Sequence, residues 1–304
     1  MKPMRVRTIS QFHQLYDLYK PDHPLISVID FKQIGSPIEP KWNSRAQDFY
    51  SISIKRTSNA IMKYGQQEYD FDSGVLFFMA PGQIFNVIAD NDSAPKHTGW
   101  LLLIHPDFLW NTNLAKAIHQ YEFFNYSINE ALFLSEKEEC TIDQIIKNIQ
   151  QEYHSNIDAF SQNIIISQIE TLLNYAERFY QRQFVTRKIT NHKVLEQLEA
   201  VLTEYFDNDQ LLTTKGLPTV QYISEILNIS PSYLSGLLTS LTGQSTQQHI
   251  HNKLINKAKE RLSITDLSVS EIAYELGFEH PQSFSKLFKK KTKTTPSAFR
   301  NSFN

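Results

Sequence analysis

The last third of the chain contains, twice over, a short helix, a tight turn and a second short helix. This repeat limits the fold more than any other feature of the sequence. In the first copy, Ile223, Ile226 and Leu227 share one helical face. Ser230 and Pro231 then begin the second helix, because serine is a favoured N-cap and proline a favoured first helical residue. The pattern predicts a helix-turn-helix, whose second helix fits a DNA major groove about 12 Å wide.

The second copy follows after one intervening helix. Gly277 opens its turn and Pro281 begins its second helix. The helix-turn-helix units are predicted at about 220–243 and 269–292, and residues 248–263 are predicted as the linker helix between them. A single such unit is a weak signal, but two in tandem with this connector are specific.

The residues of this region are similar to those of the AraC/XylS-type regulators. The resemblance covers roughly 205–303. It is carried by Ser270-Glu-Ile-Ala-Tyr-Glu-Leu-Gly-Phe, Gln282-Ser-Phe-Ser-Lys-Leu-Phe-Lys-Lys and Thr295-Pro-Ser-Ala-Phe-Arg, and also by Ser230-Pro-Ser-Tyr-Leu-Ser and the linker Lys253-Leu-Ile-Asn-Lys-Ala-Lys-Glu-Arg-Leu. It implies sequence-specific binding to double-stranded DNA.

The resemblance and the exposed helical positions together predict which residues contact DNA. The base-facing candidates are Ser232, Ser235, Gly236, Gln282, Ser283 and Lys286. The phosphate-facing candidates are Thr239, Ser240, Lys289, Lys290, Lys291 and Lys293, and for the four lysines a merely solvated surface is an equal alternative. Glutamine can pair with an adenine edge and lysine can reach guanine or a phosphate.

The first reading helix departs from the family pattern. It carries serine, threonine and Gly236 where many members have arginine, lysine or glutamine. We therefore expect an uneven footprint, in which the second helix-turn-helix unit contributes more of the affinity.

The charge distribution agrees with a DNA-binding tail. Residues 215–304 contain 11 Lys and Arg against 6 Asp and Glu, whereas residues 1–214 contain 19 against 26. The C-terminal third therefore tolerates a polyanion better than the rest of the chain.

Residues 1–105 are predicted to be mostly β-structure. The segments 48–55, 75–80, 84–89 and 99–104 read as short strands separated by Gly, Pro, Asn and Asp. By resemblance, this region is a cupin-like small β-barrel that binds an effector. Nine aromatic residues there could line a cavity or simply fill a core.

The predicted fold class is α+β, with the β-barrel followed by helices and then an all-α domain. Residues 106–190 form a helical dimerisation or connector region, and residues 191–304 form the DNA-binding domain. The apolar stripe between Phe160 and Phe184 is predicted to be either a core helix or a subunit interface. Residues 181–188, 207–210 and 213–219 are expected to be connectors or loops.

No catalytic or metal-binding pattern is present in the sequence. The histidines of the N-terminal part are isolated, and His249 and His251 point in different directions if they lie on a helix. Cys140 stands alone among acidic residues, which disfavours a DNA-repair methyl-acceptor with activated cysteines. We predict no enzyme activity, no cofactor and no metal.

The partners implied are double-stranded DNA, RNA polymerase, a second copy of the chain and a small-molecule effector. An alternative is a DNA-binding regulator that is controlled by protein contacts alone. One cysteine, no apolar run long enough for a membrane span and no signal peptide indicate a cytoplasmic protein.

Overall fold

The computed structural model describes residues 4–34, 44–57, 74–86, 97–127, 130–155, 158, 160–186 and 188–302. The chain divides into two compact units, Met1–Gln183 (unit 1) and Phe184–Asn304 (unit 2). It is mostly helical, with both sheets in unit 1. Among the described helices, none combines the length and apolar character that crossing a bilayer requires.

Unit 1 contains two sheets in its described residues. Its strands are β1 (Met4–Val6), β2 (Ile26–Asp30), β3 (Ser44–Gln47), β4 (Tyr50–Thr57), β5 (Gly74–Met79), β6 (Ile84–Asn86), β7 (His97–Ile104) and β8 (Leu132–Leu134). The larger sheet is antiparallel in the order β2-β7-β4-β5-β8, and the smaller has the order β1-β3-β6. The predicted strands 48–55, 75–80 and 99–104 are confirmed. Of the predicted strand 84–89, residues 87–89 lie outside the described part.

The larger sheet is buried on both faces. On one face, Leu101 and Leu103 pack with Phe49 and with Ile9 of helix α1 (Ile9–Leu15). On the other face, Trp100 Nε1 donates to Asp143 of helix α3 (Glu136–Tyr153) at 2.9 Å. The cupin-like closure of these sheets stays a prediction.

Helices complete unit 1. They are α1, α2 (Asn113–Ala117), α3 (Glu136–Tyr153) and α4 (Ser161–Thr186). The helix α1 was missed in the region predicted as mostly β, although its capping box, formed by Thr8 and Gln11, is visible in the sequence. The strand-rich composition around it hides this signal.

The apolar stripe of α4 is buried within the chain. Its members are 0–7% exposed: Ile165, Ile166, Ile169, Leu172, Leu173, Ala176, Phe179 and Tyr180. The Tyr180 ring stacks on Phe123 with centroids 5.6 Å apart, and its hydroxyl donates to the carbonyl of Glu130. Of the two alternatives, the core helix is therefore the one that accounts for these side chains.

Unit 2 is a set of helices around one core. They are α5 (Lys188–Asp207), α6 (Asp209–Lys215), α7 (Val220–Leu227), α8 (Pro231–Thr242), α9 (Thr246–Ile264), α10 (Val269–Glu275), α11 (Pro281–Thr292) and α12 (Pro296–Asn301). Leu198, Leu234, Leu254, Ile272 and Phe284 are fully buried together, so α5, α8, α9, α10 and α11 share this core.

Three sequence interpretations in this region are wrong. Residues 209–215 form α6 rather than a loop, because Asn208 caps the helix by accepting from the Leu211 N–H. In the segment 181–188, which was expected to begin a connector, residues 181–186 belong to α4 and Lys188 is the first residue of α5. Ile226 is 49% exposed and does not share the buried face with Ile223.

Candidate nucleic-acid interface

Two helix pairs in unit 2 have the same backbone turn. In the first, between α7 and α8, Asn228 has a left-handed backbone and the Ile229 N–H donates to the Ser224 carbonyl at 3.1 Å. In the second, between α10 and α11, Gly277 is left-handed and the Phe278 N–H donates to the Ala273 carbonyl at 3.0 Å. The second turn has one more residue before its proline.

The glycine in the second turn is required by close packing. A Cβ on Gly277 would lie 2.7 Å from the carbonyl oxygen of Leu212 and 2.9 Å from the Cα of Gly216. The first turn has asparagine, Asn228, at the equivalent left-handed position. Asparagine adopts this backbone conformation more readily than most residues that have a Cβ.

The second helices of the two pairs correspond residue by residue, 50 positions apart. Both have 12 residues, begin with proline and end with threonine, and a left-handed residue follows each. The Thr242 hydroxyl donates to the Leu238 carbonyl, and Thr292 makes the same bond to Phe288, both at 2.8 Å. The two helices are therefore built alike but carry different side chains.

The helix α8 offers small polar groups on its predicted reading face. Thr239 is exposed, and the other predicted contacts are half-buried: Ser232, Ser235, Gly236 and Ser240. Its sequence, Pro-Ser-Tyr-Leu-Ser-Gly-Leu-Leu-Thr-Ser-Leu-Thr, contains no charged residue. These positions share one helical face because they recur at three- and four-residue steps.

The helix α11 offers charge at the equivalent positions. Its predicted contacts are exposed at Gln282, Ser283, Lys286, Lys289 and Lys290, and Lys293 follows exposed at its C-terminal end. Phe284 and Phe288 on its opposite face are fully buried. The polar side of neither helix is therefore packed inside the unit.

Lys291 differs from the other lysines of α11. It is half-buried, and its Nζ donates to Asn252 Oδ1 at 3.2 Å. Asn252 in turn donates from Nδ2 to Gln244 Oε1 at 2.8 Å. This chain of side chains, the Gln244–Asn252–Lys291 link, joins the end of α8 to α11 through α9. Sequence reasoning missed it, since no periodicity marks a pairing of residues so far apart.

The cations of α9 are engaged within unit 2. Lys257 pairs with Asp207 at 2.9 Å and Arg261 pairs with Asp209 at 2.7 Å. His249 contacts the Thr242 hydroxyl, whereas His251 contacts Gln247, so the two rings point apart as expected. Burial lowers the pKa of His251, and the positive charges of Lys291 and Lys290 lower it further.

Comparison with known proteins agrees with this geometry. A family profile described as "Helix-turn-helix domain" matches residues 223–302, which span α8 to α12 and most of α7. This C-terminal region belongs to the AraC/XylS-type helix-turn-helix family. In helix-turn-helix units generally, the second helix is the element that enters the major groove.

Two relatives from Bacillus subtilis are similar to parts of the chain. The HTH-type transcriptional regulator YfiF is 31% identical over 141 residues, which are 46% of this chain and 41% of YfiF. The transcriptional regulatory protein YesN is 41% identical over 78 residues, 25% of this chain and 21% of YesN. The matched part is therefore less than half of the length of either relative.

A solved structure is similar to the AraC-type domain. It is the C-terminal domain of the two-component response regulator yesN from Fusobacterium nucleatum, with 30% identity and a TM-score of 0.31. The match covers 36% of this chain and 98% of that one.

Proposed function

We propose that the chain is a transcription regulator that binds double-stranded DNA at a specific sequence through two helix-turn-helix units, α7–α8 and α10–α11. The observation that carries this proposal is the exposed polar face of α11, with Gln282 and Lys286 one helical turn apart inside an AraC-type domain. Lysines on that face supply the salt-dependent attraction to phosphates, and contacts with base edges supply sequence choice.

The two units divide the binding unequally in this proposal. The base-facing residues are Gln282, Ser283 and Lys286 on α11, and Ser232, Ser235 and Gly236 on α8. The phosphate-facing residues are Thr239, Ser240, Lys289, Lys290 and Lys293. Lys291 is assigned to the Gln244–Asn252–Lys291 link instead, because its ammonium group already has a partner there.

Selection of bound sites from random DNA by the full chain tests the function. We expect enrichment of one motif, with stronger base preference in the half contacted by α11. Binding should weaken steeply between low and moderate salt. Recovery of no motif, together with equal affinity for all duplexes at fixed salt, would contradict the proposal.

The proposed regulation acts through the N-terminal region. Residues 1–105 act as a cupin-like effector domain, residues 106–190 as a connector that also pairs two chains, and residues 191–304 as the DNA-binding domain. The homodimer must use surfaces other than the apolar stripe of α4, since those side chains are buried inside one chain. Sedimentation that shows a monomer at micromolar concentration, with and without DNA, would contradict the dimer.

A regulator controlled by protein contacts alone is the second candidate, and RNA polymerase is a proposed partner in both cases. It shares the DNA-binding domain and differs only in lacking a small-molecule effector. Ligand-dependent thermal shifts of the full chain separate the two, because a ligand that binds only the native state raises the melting temperature.

A further inference from the structure

A cavity of about 380 Å³ lies in unit 1. It is bounded by the start of β2, the 3-10 turn Pro106–Leu109, the end of α3 and the start of α4. Its walls include the apolar side chains of Ile26, Phe108 and Ile165 and the carboxylates of Asp107, Glu152 and Asp158. The volume falls within the range of about 300–1,000 Å³ that is typical of small-molecule sites.

Hydrogen bonds between distant segments hold these walls together. Gln162 Nε2 donates to the Phe108 carbonyl at 2.7 Å, which ties α4 to the 3-10 turn. The Tyr153 hydroxyl accepts from the Asp22 N–H at 2.8 Å, which ties α3 to the segment before β2. The His23 ring meets Phe108 edge-on, with centroids 5.4 Å apart. These contacts fix the positions of the cavity walls relative to one another.

The cavity has an apolar floor and an acidic rim. Ile26, Phe108 and Ile165 are at most 4% exposed, whereas the three carboxylates of the lining are reachable from solvent. None of the lining residues is lysine or arginine. Its one basic residue is His23, and burial lowers the pKa of that ring, so it is neutral near pH 7.

One carboxylate of the rim is fixed in its charged form. Asp158 Oδ1 accepts from the N–H groups of Phe160 and Ser161 at 2.7 and 3.0 Å. The bond from Phe160 is the main reason that the pKa of Asp158 is lowered. Asp158 thereby also occupies the positive end of α4, which removes the usual anion-binding character of a helix N-terminus.

We propose that this cavity binds a small organic cation, an amine or guanidinium compound whose apolar part rests on Ile26, Phe108 and Ile165. The ammonium or guanidinium group pairs with Glu152 and the neighbouring carboxylates Asp107 and Asp158. Among the described lining residues, every ionised side chain is a carboxylate, so an anion would be repelled there. Among the described residues, no group of His, Cys, Asp and Glu is arranged to hold a metal ion, so an organic cation fits better than a divalent metal.

This inference rests on the proposed function in one respect: it gives the ligand class of the effector. It also extends the effector site beyond residues 1–105, because eight of the eleven lining residues belong to 106–190. Its test uses the full chain and three probes of one shape, benzylamine, benzyl alcohol and benzoate, with agmatine as a longer cation. We expect the two cations to raise the melting temperature and the neutral and anionic probes to leave it unchanged. No shift with either cation, or an equal shift with benzyl alcohol, would overturn the ligand class.

Two matched variants locate the binding. Glu152→Gln removes a half-buried carboxylate that lines the cavity, and Glu170→Gln removes a half-buried one on α4 outside it. By calorimetric titration we expect at least about tenfold weaker cation binding for Glu152→Gln, the scale of one lost charge-assisted contact, and unchanged binding for Glu170→Gln. Equal affinities of Glu152→Gln and the wild type would overturn the site.

A DNA titration separates this inference from the proposed function. Specific DNA binding without any probe tests the function by itself. A bound cation that alters DNA affinity in the wild type but not in Glu152→Gln supports its role as effector. Cation binding that leaves DNA affinity unchanged overturns that role.

Discussion

Lys293 ends α11 in the same left-handed backbone conformation that Gly243 adopts at the end of α8, with φ angles of 67° and 71°. The two residues stand 50 positions apart, and each donates its N–H to the carbonyl four residues earlier, that of Lys289 or Thr239. A residue with a Cβ is disfavoured in this conformation by roughly 1–2 kcal/mol, whereas glycine adopts it freely. Lys293 therefore occupies, after α11, the position that Gly243 occupies after α8.

Lys293→Gly should stabilise unit 2. We expect the free energy of unfolding in urea to rise by about 1 kcal/mol, because the strain of a left-handed lysine is relieved. Lys293→Ala keeps the Cβ and loses only the charge, so its stability should stay close to that of the wild type. A Lys293→Gly variant less stable than Lys293→Ala would contradict the explanation.

Ser224→Ala should also stabilise the chain. Ser224 is 1% exposed, and its hydroxyl has no hydrogen-bond partner among the residues that the structure describes, while the equivalent residue of the second pair is the buried Ala273. Removing an unsatisfied buried hydroxyl is expected to yield about 1 kcal/mol in the free energy of unfolding.

Ser230→Ala provides the opposite case. The Ser230 hydroxyl accepts from the Tyr233 N–H at 3.2 Å and caps α8. Its loss should lower the free energy of unfolding by about 1 kcal/mol. An equal loss of stability in Ser224→Ala and Ser230→Ala would mean that the Ser224 hydroxyl is hydrogen-bonded, and it would contradict this explanation.

Lys286→Ala should weaken specific DNA binding more than Ser235→Ala. A base contact by Lys286 corresponds to about 1–3 kcal/mol and to relaxed preference at one base pair. Titration at fixed salt with the selected duplex measures both losses. Lys193→Ala, an exposed lysine on α5, controls for the change in net charge. Equal losses for Lys286→Ala and Ser235→Ala would contradict the uneven footprint.

Unit 1 should lose stability in mild acid through His13. Its Nδ1 faces the Tyr19 carbonyl and its Nε2 lies 2.9 Å from the Ser27 hydroxyl, inside the fold. Burial lowers the pKa of His13 below its ordinary value of about 6.5. The unfolded chain therefore binds this proton first, so stability is complete above about pH 6.5 and falls as the pH drops towards the folded-state pKa.

Thermal melts between pH 7.5 and 5 test this dependence. His13→Gln should flatten the fall in melting temperature over that window, and the exposed His119→Gln should leave it as in the wild type. Identical pH profiles of His13→Gln and the wild type would exclude His13 as the cause.

The sequence predicts the parts of the fold in which one signal dominates. Pro231 and Pro281 mark the starts of α8 and α11 because proline suits a first helical turn, and the repeat makes each match support the other. The alternating apolar and polar residues of β4 predict a strand because successive side chains of a strand point to opposite faces of the sheet. The resemblance to AraC/XylS-type regulators adds the orientation of the reading faces, which periodicity alone does not give.

Other features depend on contacts that no local pattern encodes. Asn208 reads equally well as a loop residue or a helix cap, and α6 behind it was missed. The apolar stripe of α4 is compatible with a core helix or with a subunit interface. Contacts inside the chain, such as the stacking of Tyr180 on Phe123, identify it as part of the core. Lys291 looks like its neighbours in sequence, yet Asn252 withdraws it from the exposed face.

Under the proposed function, the Gln244–Asn252–Lys291 link has a consequence for the DNA site that the chain binds. Because Asn252 of α9 bonds both Gln244 after α8 and Lys291 of α11, we expect the distance between α8 and α11 to stay constant. The number of base pairs between the two DNA segments contacted by α8 and α11 should then affect affinity, even where no side chain contacts those base pairs. One inserted base pair would rotate the far segment by about a tenth of a helical turn, so spacing belongs to the recognised sequence as much as the bases do.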